Sequence, residues 1–498
     1  MNPISATATP AENALQTSSP CPAPNGIVAM DAVSLMEAVH NRALSCVEVM
    51  QAFLNRIGDC NERHNALVAL GDPQAMLEQA QEKDRQLQGG AACGLMHGFP
   101  QAPKDLMPVK GMLTTRGSLI YRSHISDSDA VAVARMRMAG AVFIGRSNTP
   151  ELGLGGHTYN RVYGITRNAQ DSALSAGGSS GGAAVAVARR MLPVADGSDT
   201  MGSLRTPAAF NGVFGLRTTP ELISHGIQDK SVWPPLSVCG PMARTVPDLA
   251  LLLSVLADFP ASLPFVRSTQ ASAFVQPLQR DLRGVKVAWL GDLGGHLPFD
   301  PGVLQACEAA LPLFQEVGCD LYAAIPAFNY EALWESWITL RSFLFWRAYG
   351  STLREPAQWA LTKPEAQWEL RRGMDINEAQ VKSALQIRSA WRASLDAMFD
   401  EYDFLLLPAA QVFPFAAEQD WPEWVGGRHM DTYHRWMQVA IFASMGGVPA
   451  LSVPVRGPGQ AHMAGLQILA RPHAELSVLQ LGHAYDEARR SSMPPDAE

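Results

Sequence analysis

The sequence predicts an α/β fold in which helices cover both faces of a sheet. Helical stretches alternate with short apolar runs bounded by Gly and Pro along most of the chain, the pattern of strands buried on both sides. The composition is that of a folded core, with 47% hydrophobic and 17% charged residues. At 498 residues the chain is long for one core, but large α/β enzymes reach this size, and no Pro/Gly/Ser linker or fixed-period repeat divides it.

Residues 31–58 carry apolar positions at helical spacing, with Asp31 as N-cap, and 75–88 read as a second helix. Residues 127–139 read as a helix and AVFIGRSN after them as a buried strand. AAVAVARRM then leads to LPVADG, TVPDLALLLSVLAD precedes VKVAWLG, and VLQACEAALPLFQEVG precedes CDLYAA. YDFLLLPAA and GVPALSVPV are short apolar runs near the end. Nine of the eleven tryptophans fall between Trp334 and Trp436, inside a stretch, 328–440, that is helical in pattern. This stretch is either a cap over a site or a helical part of the core, and aromatics mostly fill cores.

The net charge of −8 argues against a nucleic-acid footprint. No run of 18 apolar residues is present, so no membrane span is expected. Residues 1–25 are rich in Ser, Thr, Ala, Pro and Asn without a basic or apolar leader pattern, and are expected to be a flexible tail. Seven scattered cysteines without CxxC spacing fit a reducing cytoplasm, with no disulfide framework and no zinc site.

The most informative segment is Gly177-Gly178-Ser179-Ser180-Gly181-Gly182, an Ala/Val run, then Asp199-Thr200-Met201-Gly202-Ser203-Leu204-Arg205. Two serine-bearing glycine loops are joined by a stretch that can only be buried. Gly178 to Gly182 also fits GxSxG, which would make Ser180 the nucleophile of an elbow. That motif needs a buried strand before it, and TRNAQDSALSAG is polar. A phosphate cradle would lack the Lys-Ser/Thr ending of a P-loop. The chain holds seven lysines, and Lys104 lies in an apolar, proline-rich setting, GFPQAPKDLMPVKGM. Burial there would lower its pKa toward that of a usable base. Lys110, in the same segment, is a competitor that the residues alone do not separate from it.

Taken together, the motifs resemble the amidase signature family over nearly everything after the tail. They are GFPQAPKDL, GRSNTPELG, SAGGSSGG, GSDTMGSLRTPAAFNGVFGLRTT, GPMARTVPDLALLL, GVPALSVPV and GLQILARP. Lys104 precedes Ser179 by 75 residues and Ser179 precedes Ser203 by 24, as in that family. The resemblance implies a single domain, residues 26–498, with a central mixed sheet between helices. It implies a Ser–cis-Ser–Lys triad on Ser203, Ser179 and Lys104, with a cis Gly178–Ser179 peptide. The oxyanion would then be held by the backbone N–H groups of Thr200, Met201, Gly202 and Ser203. Met201 is a departure, because the family usually has Gly there, and it makes Met201 a candidate substrate contact.

The expected activity is hydrolysis of small to medium apolar or aryl amides through an acyl-serine, with no metal and no organic cofactor. Carbamates, esters and cyclic amides of the nylon-oligomer kind are alternatives on the same triad. A glutaminase-type subunit of a tRNA-dependent amidotransferase is an alternative of another class, and a catalytically dead binding protein is a third. The expected partner is a small-molecule amide, with no nucleic acid and no membrane, and self-association into a homo-oligomer is left open.

Overall fold

A computed structural model describes residues 22–220, 222–223, 234–257, 274 and 276–492. Residues 1–21 of the expected tail lie outside this set. The central sheet has eight strands: β1 (Ala195–Asp199), β2 (Phe214–Arg217), β3 (Val238–Ala243), β4 (Lys286–Trp289), β5 (Asp320–Ala323), β6 (Phe404–Pro408), β7 (Ala450–Val455) and β8 (Ala464–Leu469). Their spatial order is β5-β4-β6-β8-β7-β2-β3-β1. β4 runs parallel to both β5 and β6, and every other neighbouring pair is antiparallel. The sheet is therefore mixed.

Every residue of β6, β7 and β8 is buried, which explains why these strands read as continuous apolar runs rather than alternating ones. Alternate side chains serve two cores. Phe404 and Leu406 of β6 join one, and Leu405 and Leu407 join the other.

Helices fill both sides. They include α1 (Ala32–His40), α2 (Cys46–His64), α3 (Gly181–Ala188), α4 (Arg205–Asn211), α5 (Val246–Leu256), α6 (Tyr330–Leu353), α7 (Pro364–Met374), α8 (Glu378–Glu401) and α9 (Glu475–Ser491). Side chains of α5 and α9 belong to the first core, with α2 and α3. Those of α6 and α8 belong to the second. Trp334, Trp337, Trp391 and Trp436 are fully buried there, so four of the clustered tryptophans are core residues. The stretch 328–440 is not helical throughout, because it contributes β6 to the central sheet.

Three local expectations are corrected. Residues 31–58 form two helices. Arg42 takes φ 58° in the break, and Ser45 with Glu48 forms a capping box that restarts the chain as α2. AVFIGRSN is buried but breaks at Gly145 into the two-residue strands Val142–Phe143 and Arg146–Ser147. These pair with Pro100–Gln101 and Leu67–Val68, away from the central sheet. Cys60 is disulfide-bonded, whereas Cys46, Cys93, Cys239, Cys307 and Cys319 are free. Cysteine pairing follows proximity in the fold, which sequence spacing does not report. No helix among the described residues is long and apolar enough to cross a membrane.

Candidate active site

The first glycine loop ends in α3, whose eight residues GGAAVAVA include seven that are fully inaccessible or nearly so. Small residues are needed here because the loop lies flat against 148–158. Gly177 has φ 71°, and a Cβ on Gly182 would run into the backbone of Asn148 and Ala66. The Gly178–Ser179 peptide is cis. No strand precedes the loop, so the elbow geometry is absent.

Lys104 enters this loop from the segment that follows Pro100–Gln101. Its Nζ lies 2.8 Å from Ser179 Oγ, 2.8 Å from Ser180 Oγ and 3.1 Å from Ser198 Oγ. The side chain is wholly inaccessible to solvent. Burial pushes its pKa down to about 7, although Asp196 and Asp199 pull the other way. Lys110, the sequence-level competitor, is exposed, and this separates the two lysines.

The second loop follows β1 and is organised by the carboxylate of Asp199. That group accepts from the N–H of Gly202 at 2.9 Å and of Leu204 at 3.2 Å, and from Arg205 at 2.9 and 3.0 Å. Arg217 lies 3.3 Å away. Burial alone would raise the Asp199 pKa, but the two guanidinium groups overcome it and hold the carboxyl well below the usual range. Ser203 is placed against the first loop, where its carbonyl accepts from Ser180 N–H at 3.1 Å. Ser203 and Ser179 are both buried.

Of the four backbone donors expected to face an oxyanion, Gly202 N–H is already committed to Asp199. Gly202 itself has φ 81°, and a Cβ there would come 2.8 Å from the Cβ of Ala440. Met201 is buried in the second core, in the same cluster as Phe210, Trp436 and Met437.

Sequence reasoning missed the hydroxyl of Ser198 and the carboxyl of Asp196, both close to Lys104. A signal existed: residues two apart on a strand share a face, so Asp196 and Ser198 had to point the same way once β1 was recognised. His157 borders the loop but acts structurally. It bonds Ser175 Oγ at 2.7 Å and the Ala417 carbonyl at 2.8 Å, and burial lowers its pKa to about 4.

A cavity of about 410 Å³ is walled by the aromatics Tyr159, Trp368, Trp421 and Tyr433 and by six charged residues, Lys363 and Glu365 among them. Lys363 donates to the Leu154 carbonyl at 2.7 Å, and a Cβ on Gly153 would lie 3.7 Å from Ser179 Oγ. Lys363 of the cavity wall and Ser179 of the serine loop thus approach the same turn, 153–155.

A mixed sheet between helical layers holds a buried lysine among Ser179 and Ser180 of the first glycine loop and Ser198 of β1, as expected of a hydrolase of the amidase type. The chain belongs to the Amidase family, whose profile matches residues 48–479. It is 31% identical over 465 residues to an acylamidase from Rhodococcus erythropolis, covering 92% of this chain and 95% of that one. It is 33% identical over 485 residues to a glutamyl-tRNA(Gln) amidotransferase subunit from Ralstonia nicotianae, covering 90% and 95%. The crystal structure of a bacterial aryl acylamidase of the amidase signature family superposes with a TM-score of 0.84 at 24% identity, over 92% of this chain and 96% of that one, a likeness of fold. The protein is an enzyme that hydrolyses carbon–nitrogen bonds other than peptide bonds.

Proposed function

We propose that the enzyme cleaves small to medium apolar or aryl amides through an acyl-Ser203 intermediate, with Ser179 and Lys104 as the proton relay. The observation that carries this reading is the 2.8 Å contact between Ser179 Oγ and an inaccessible amine whose pKa burial lowers to about 7. A serine hydroxyl needs a base to become a nucleophile, and no aqueous lysine would be neutral at that pH.

In the first step neutral Lys104 takes the proton of Ser179, which takes that of Ser203. Ser203 Oγ bonds to the amide carbon, and the carbonyl π pair moves onto oxygen. Backbone N–H groups of Thr200, Met201 and Ser203 face that oxyanion. The tetrahedral adduct collapses, the C–N bond breaks, and the proton returns through Ser179 to the leaving nitrogen. Water then attacks the acyl-serine, giving its proton to the same relay, and the acid departs as Ser203 is regenerated. The aromatic walls of the 410 Å³ cavity, Tyr159, Trp368, Trp421 and Tyr433, supply faces for an aryl substituent.

A panel of amides, anilides, carbamates and esters, incubated with the purified chain and read by mass spectrometry, tests this. Turnover of simple or aryl amides by the chain alone is the expected result. The relative from Ralstonia nicotianae favours one second reading, that of a component in an amidotransferase assembly. An inactive isolated chain that hydrolyses glutamine only with added partner proteins would select it.

A further inference from the structure

We propose that Asp196 is a positioning residue for Lys104: its carboxylate holds the backbone N–H of the lysine, and its charge governs how readily the ε-amine gives up a proton. The inference rests on the reading of Lys104 as the base.

The geometry follows from the alternation of β1. Asp196 and Ser198 lie two residues apart and share a face. Both reach Lys104, at opposite ends of the same residue. Asp196 Oδ2 accepts from Lys104 N at 3.1 Å, and Ser198 Oγ meets Nζ at 3.1 Å. The lysine carbonyl is held as well, by Arg146 at 2.8 Å. The residue that must aim an amine at Ser179 is therefore fixed at its N–H, its C=O and its tip.

Packing does not require a carboxyl here. Asp196 is fully inaccessible, and its Oδ1 has no hydrogen-bond partner among the described residues. Burying an ionisable group that is half satisfied carries a desolvation cost that an apolar side chain would avoid. Its interaction with Lys104 explains why a carboxyl suits the position.

The charged surroundings are few. Against the burial that lowers the Lys104 pKa stand the carboxylates of Asp196 and Asp199, both favouring the ammonium form, Asp196 the most. Burial raises the thiol of Cys239 to about 12, so it stays neutral. Burial also raises Asp196, to about 6, while Arg146 and Lys104 favour its ionised form. Asp105, 3.8 Å from Arg146, is engaged by the N–H of Thr115 at 3.0 Å. Ionised Asp196 thus counteracts the burial that frees the amine, and removing its charge would free the amine at lower pH.

The test is Asp196→Asn in protein labelled with [ε-13C]lysine. The amide keeps an acceptor for Lys104 N–H and removes the charge. Among the seven lysines, the Lys104 resonance is assigned by its loss in Lys104→Met. We expect Lys104 to titrate roughly one unit lower in Asp196→Asn than in the unsubstituted enzyme, with the acid limb of kcat/KM moving by the same amount. Asp196→Ala, which lacks the acceptor, should also lose plateau rate. A Lys104 titration that does not move in Asp196→Asn overturns the proposal, whatever the rate does. A titration that moves while the acid limb stays fixed upholds the Asp196 link and removes Lys104 as the base. Should the amide prevent folding, Asp196→Ser gives the same reading, since it is uncharged and smaller.

Discussion

The Nζ of Lys104 is 2.8 Å from the hydroxyl of Ser180 as well as from that of Ser179. The lysine therefore contacts both serines of the glycine loop, and proximity to it does not by itself say which serine carries protons. Ser180 Oγ also meets the Ser198 carbonyl at 3.3 Å, on the side of β1, while its backbone N–H anchors the Ser203 residue.

The pH profile should report the lysine. With the Lys104 pKa lowered to about 7, the working base is the neutral form, so kcat/KM should rise with pH through about 7 and then level off. A lysine in water would place that limb near its ordinary value of about 10.4. Lys104→Met should reduce amide turnover by roughly 10²–10⁴-fold, and activated esters, whose leaving groups need no proton, should lose less. An acid limb near 10, or an unimpaired Lys104→Met enzyme, would exclude this base.

Ser203 should be the acylated residue. A fluorophosphonate should leave its adduct on the peptide containing Ser203, and Ser203→Ala should abolish both labelling and turnover with an unchanged circular dichroism spectrum. An adduct on Ser180 would restore the elbow reading.

Asp199→Asn should be destabilising by about 3–5 kcal/mol, because it leaves the buried guanidinium groups of Arg205 and Arg217 without their shared counter-ion. Urea denaturation measures this. The folded-state pKa of Asp199 is depressed, so its contribution is fully present above the unfolded value of about 3.9 and is lost as pH falls through the folded value. The gap between the two proteins should therefore narrow only in strong acid.

Met201→Gly should lower stability by about 2–5 kcal/mol, since it empties a buried site in the second core and adds backbone freedom to the unfolded chain. If Met201 also borders the acyl group, rates on small and bulky acyl substrates should change by different factors. An equal change on both would confine Met201 to packing.

Four of the clustered tryptophans are sealed in the core, while Trp368 and Trp421 line the 410 Å³ cavity. Quenching of tryptophan fluorescence by a bound aryl amide should therefore come from these two, and Trp421→Phe should weaken it. Undiminished quenching in Trp368→Phe/Trp421→Phe would place the aryl group elsewhere.

The sequence by itself determined the α/β class, the buried run of α3 and the pairing of two serine-bearing glycine loops around it. These depend on local chemistry: small residues where backbones must touch, and apolar runs where both faces of a strand are covered. It did not show the break at 41–45 inside a stretch of helical spacing, although Ser45 and Glu48 marked it. The difference in burial between Lys104 and Lys110 was decided by tertiary structure, because burial depends on what packs against a side chain, and the serines around Lys104 come from 75 to 94 residues away. The commitment of Gly202 N–H to Asp199 and the grip of Asp196 on Lys104 were decided there too. Both depend on distances of about 3 Å between groups whose approach only the folded sheet fixes.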